Sequence, residues 1–108
     1  MIKEIANYPI GRYPCSVIIN GRWFTILEIS QYYRTKKGRS TVSDEKIREL
    51  VKQLYGIEKE RDKNGYYNHE PLYIGYRAYN LVWDYDDSPF ATTLLIIDCY
   101  RERKFDKK

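Results

Sequence analysis

A chain of 108 residues with 43% hydrophobic and 31% charged side chains has the length and composition of one folded domain with a modest core, and it is not a disordered segment. No apolar run approaches the ~18 residues needed to span a bilayer, and the start MIKEIANYPIG carries no apolar signal-peptide core, so a cytoplasmic protein without a membrane partner is expected. The net charge of +4 is uneven: residues 101–108 hold five cations against two carboxylates and RTKKGR (34–39) holds four cations, which leaves −3 for the rest.

Residues 1–14, with Pro9, Gly11 and Pro14, read as an extended lead-in in which regular structure is interrupted. CSVIINGRWFTI (15–26) reads as a hairpin: Val17, Ile18 and Ile19 lead into Asn20-Gly21, which suits a type I′ turn because both central residues need positive φ. FTILEISQYYR (24–34) either continues the strand or forms a short helix lined by Ile26, Ile29 and Tyr33; the strand is preferred.

RTKKGRS is a loop, followed by STVSDEKIRELVKQLYG (40–56), in which Ile47, Leu50, Val51 and Leu54 recur at i, i+3, i+4 and i+7 and predict a helix. Ser43 caps its first turn, with Asp44 and Glu45 at the positive end of the dipole; Thr41 with Asp44 is an alternative capping box. Gly56 is expected to end the helix as a left-handed residue. In IEKERDKNGYYNHEPLYI (57–74), Asn64-Gly65 marks either a hairpin or a long exposed loop.

AYNLVWDYD (78–86) is a strand, DDSP a turn, and FATTLLIIDCYRER (90–103) the final strand. The two form an antiparallel hairpin whose near-continuous apolar character places it at the sheet centre. Residues 104–108 are a basic tail. The expected architecture is a single α+β domain over 1–108: an antiparallel sheet of four to six strands with one main helix packed on one face.

Few residues offer metal or cofactor chemistry. Cys15 and Cys99 stand alone without a CxxC, and with a single histidine no zinc site is expected, nor any other cofactor. Asp84, Asp86 and Asp87 resemble a cation cluster, but a DDSP turn uses its aspartates for backbone hydrogen bonds. His69 beside Glu70 can do acid–base work near neutral pH if the chain bends to bring the two together.

The basic blocks offer more. Arg103, Lys104, Arg34, Lys36, Lys37 and Arg39 are candidate RNA contacts, and many of the twelve tyrosines lie close to basic residues, as base stacking with phosphate contact requires. If the last strand runs through residue 103, Arg101 and Arg103 project from one face about 7 Å apart. Two guanidinium groups so placed can hold a phosphodiester without a metal while a 2′-hydroxyl attacks it.

The stretch RAYNLVWDYDDSPFATTLLIIDCYRERKF (77–105) resembles the C-terminal hairpin of the RelE/ParE-type toxin superfamily, and SDEKIRELVKQL is compatible with the helix packed on the sheet there. The resemblance implies a metal-independent ribonuclease in which Arg101 binds the scissile phosphate and an acidic antitoxin is the partner. Asn80 stands where the family often has an arginine, so Arg77 would substitute. Phe105 stands for the family's terminal Tyr or His, so Tyr100 or His69 would transfer the proton. The alternative is a non-catalytic interaction module, such as an immunity, inhibitor or regulatory protein, that binds a protein or nucleic acid through a Tyr-rich basic surface.

Overall fold

The computed structural model describes residues 9–36 and 42–108. Strands β1 (Ile10–Ile19) and β2 (Arg22–Ser30) lead through a 3-10 turn (Gln31–Thr35) to helix α1 (Asp44–Lys52). Then come β3 (Tyr67–Ile74), β4 (Arg77–Asp84), β5 (Thr93–Arg101) and a final 3-10 turn (Arg103–Phe105). The five strands form one sheet in the order β1-β2-β5-β4-β3. The α+β expectation of a mostly antiparallel sheet with one main helix therefore holds, with one correction: β2 pairs with β5 in parallel, Ile26 opposite Thr93 through Ile29 opposite Ile96.

Local chemistry explains most elements. Asn20 and Gly21 both have positive φ (54° and 71°), as a type I′ turn requires, and they join β1 to β2. The lead-in reading of residues 1–14 fails for 10–14, which belong to β1. Pro14 is tolerated because β1 is an edge strand with a bulge between Pro14 and Val17, where a missing N–H breaks no ladder. Both readings of 26–34 hold in part, since the strand ends at Ser30 and its hydroxyl caps the 3-10 turn by accepting from Tyr32 N.

Ser43 caps α1 by accepting from Lys46 N, while the alternative cap residue Thr41 lies outside the described residues. The helix ends at Lys52. Gly56 has φ +83°, but it lies beyond the Gln53 cap and gives its N–H to Ile18 O, so it closes the following turn rather than the helix. Asn64-Gly65 makes no hairpin among the described residues, where β3 pairs only with β4, and Asp62 organises the turn by accepting from Asn64 N.

The helix covers one face. Ile47, Leu50, Val51 and Leu54 pack on Val17, Phe24, Leu27, Leu81, Trp83, Leu94 and Ile96. Leu95 and Ile97, from the alternate positions of β5, form a smaller cluster on the other face with Tyr32, Tyr66 and Val82. Apolar residues on both faces are what a central strand needs, which accounts for the unbroken run LLII. Among the described residues, no helix is long and apolar enough to cross a membrane.

Candidate functional site

The strand geometry behind the paired arginines does not arise, because β5 stops at Arg101 and Arg103 begins a 3-10 turn. Arg101 itself is engaged: its guanidinium pairs with Asp106, its Nε donates to Ala78 O at 3.3 Å, and it lies 5.5 Å from the centre of the Tyr79 ring. Its side chain is only 14% exposed. The basic tail is tied down with it, since Asp106 Oδ1 accepts from Ala78 N at 2.7 Å, Lys107 N donates to Tyr76 O, and Tyr73 Oη donates to Phe105 O.

The other catalytic candidates are divided between the two faces. Tyr100 is opposite Asn80 and takes a hydrogen bond from its amide on the face away from α1; burial pushes its phenol up, although the Asn80 bond works against this. His69 is opposite Leu81, which belongs to the helix-side core, so it sits on the other face. Burial, and then Lys59, hold its imidazole below the usual value, and its Nδ1 is buried without a hydrogen-bond partner. Arg77 is exposed at the start of β4, its Nε 3.4 Å from Tyr76 Oη. Arg77 and Arg101 thus meet near Tyr79 on the helix side; Tyr100 is on the other face, and His69, on the same side, is opposite Leu81 rather than Tyr79.

The parallel seam produces an arrangement that the sequence did not suggest. Because β2 and β5 run the same way, their C-terminal ends lie at one end of the sheet, where β4 begins. Arg34 and Lys36, just after β2, therefore share that end with Arg77, Arg103, Lys104 and Lys107, and β2 and β4 are only two strand spacings, about 10 Å, apart. Lys37 and Arg39 lie outside the described residues.

Aromatic rings accompany the cations at this end. Tyr76 is 58% exposed with the Arg77 guanidinium over its ring, Lys107 Nζ is 4.3 Å from the centre of the Tyr73 ring, and Lys36 Nζ is 4.9 Å from that of Tyr32. The Arg77 contact holds the Tyr76 phenol below its ordinary value. Arg34 also bonds Asp44 at 2.9 Å, which keeps part of its charge inside the fold.

The opposite end is acidic, and the aspartates of the DDSP region act as turn and clamp groups. Asp84 and Asp87 hold Arg61, while Asp86 accepts from Ser88 N. Arg61 also stacks 4.8 Å from the centre of Tyr67, which itself packs on Trp83 and Tyr85; burial and the Tyr85 hydrogen bond push the Tyr67 phenol up to about 12. No group of three or more metal-ligating side chains occurs among the described residues. A cleft of about 730 Å³ opens on the face away from α1, with Leu95 and Ile97 at its base and Glu28 and Asp84 beside it.

Sequence reasoning missed Asp106, Asp44 and Arg61. The first is one acid inside a basic run, and only its place opposite Ala78 reveals its role. Comparison of the chain with protein-family models, curated proteins and solved structures finds no match in any of the three.

Proposed function

We propose that this chain is a non-catalytic module that binds single-stranded RNA through the basic, tyrosine-bearing end of its sheet. The observation that carries this reading is the parallel β2–β5 pairing, which puts Arg34 and Lys36 at the same end of the sheet as Arg77, Arg103, Lys104 and Lys107 and the exposed Tyr76 ring. Cations that follow a phosphate backbone, beside a ring on which a base can stack, are the elements of sequence-tolerant single-strand binding. The ribonuclease reading asks more of the same residues: Arg101 would have to leave Asp106, and a proton-transfer group would have to reach it, Tyr100 from the other face or His69 from its place opposite Leu81.

The test is fluorescence anisotropy of the full chain with a labelled oligouridine, with the RNA run on a gel afterwards. Binding with intact RNA is expected, weakened about tenfold by Tyr76→Ala, the loss typical of one stacked base. Absence of binding at low salt overturns the proposal. Cleaved RNA, with cleavage lost in both Arg77→Ala and Arg101→Ala, replaces it with the ribonuclease.

A further inference from the structure

The face of the sheet away from α1 has the opposite chemistry to the basic end. Leu95 and Ile97 lie at the base of its cleft and are 8% and 5% exposed, with Val82, Tyr32 and Tyr66 packed against them. Carboxylates stand around this apolar strip: Glu28 and Asp84 line the cleft, and Asp98 lies opposite Val82 next to Ile97. Three cations border it, the first being Lys36 over the Tyr32 ring. Arg12 reaches Glu28 at 3.6 Å, and Arg61 is held between Asp84 and Asp87. Farther along the same face, Asn80 is 4% exposed and its Oδ1 has no hydrogen-bond partner, while Glu70 lies close enough to Tyr100 to influence its phenol. Among the described residues, no helix covers this strip.

We infer that this face docks an extended, arginine-bearing segment of a partner protein. The occupant follows from charge complementarity. Carboxylates beside a cleft repel phosphate and attract guanidinium, so the face does not extend the RNA surface. The apolar base asks for apolar side chains between the cations, and a strand-like segment alternates the two at a period of two residues. At about 730 Å³ the cleft has room for several side chains. The segment lies across the strip, with its apolar residues on Leu95 and Ile97 and its arginines on Glu28, Asp84 and Asp98. This goes beyond the RNA reading; the two surfaces meet at Tyr32 and Lys36, but the carboxylates tested here belong only to this face, so the two can fail separately.

The probe is a fluorescein-labelled peptide of four Arg-Val repeats, titrated into the full chain, with the oligouridine titrated in parallel. Saturable peptide binding is expected. Glu28→Gln combined with Asp98→Asn is expected to weaken it about tenfold, with an unchanged thermal transition and unchanged RNA affinity. If that pair does not fold, Thr93→Arg, which puts a cation in the cleft, is expected to have the same effect. Equal binding by a citrulline-for-arginine peptide overturns the inference, because charge would then play no part. Displacement by spermine at the peptide's own concentration overturns it in favour of a small cation. Self-association of the wild type that the paired substitution abolishes overturns it in favour of a second copy of the chain. Absence of peptide binding at millimolar concentration overturns it outright.

Discussion

Asp44 shows how much of this fold depends on single side chains. As the first residue of α1 it accepts hydrogen bonds from Tyr13 at 2.6 Å, Tyr33 at 3.2 Å and Arg34 at 2.9 Å, with Gln31 at the edge of bonding distance. Burial acts to raise its pKa, but the bonds from Tyr13, Arg34 and Gln31 outweigh it and hold the carboxyl below the ordinary 3.8. A group depressed in the folded state stabilises fully above its unfolded pKa, and that stability is lost as pH falls through the folded value. Urea unfolding of the wild type is therefore expected to show a decline in stability below about pH 4. In Asp44→Asn that decline should be smaller, and stability at pH 7 lower by about 1–3 kcal/mol.

Gly11 depends on the same carboxylate. A Cβ there would meet Asp44 Oδ2 at 2.8 Å and the Tyr13 ring at 3.1 Å. Gly11→Ala is expected to cost about 1–3 kcal/mol by forcing them apart. Because both substitutions disturb one contact, a double-mutant cycle with Asp44→Asn should give less than the sum of the single effects. None of this was legible in the sequence, where Asp44 reads as a favourable charge in the first helical turn or as half of a capping box with Thr41.

At the scale of the element, the terminal 3-10 turn behaves as a latch. Removing residues 103–108 would leave the largely buried Arg101 without Asp106 and Ala78 N without an acceptor. That truncation is expected to lower unfolding free energy by about 3–5 kcal/mol, the usual cost of stripping one partner from a buried ion pair, whereas removing Lys108 alone should leave the urea midpoint unchanged. Elements governed by neighbours in sequence could be read directly: α1 from its apolar spacing and Ser43, and the β1–β2 turn from Asn20-Gly21. The pairing sense of β2 and β5 could not, because the apolar pattern of a strand tells which face is buried and carries no mark of which partner lies beside it or in which direction it runs. The candidate site suffered from the same gap. Its cations were visible as two blocks, but only the seam brings them to one end of the sheet.

For the whole molecule, the outcome is a charge separation along the strands, with Arg77, Arg103, Lys104 and Lys107 at one end and Asp84, Asp86 and Asp87 at the other. RNA binding at the basic end is expected to weaken with added salt, with a log–log slope of about −2 to −3 if three or four phosphates are neutralised. Arg103→Gln combined with Lys104→Gln should reduce that slope by roughly 1 to 1.5 without altering the fold.

The β2–β5 seam also has a consequence for the chain during its synthesis. The β1–β2 hairpin is complete once residue 30 has emerged, yet the partner for residues 26–29 is made only at residues 93–96. Throughout that interval β2 keeps an open edge bearing Leu27 and Ile29, the kind of surface on which nascent chains stick together. Fragments that stop before residue 93 are therefore expected to precipitate, and pelleting assays of stalled chains of increasing length should show solubility returning abruptly once β5 is free to enter the gap.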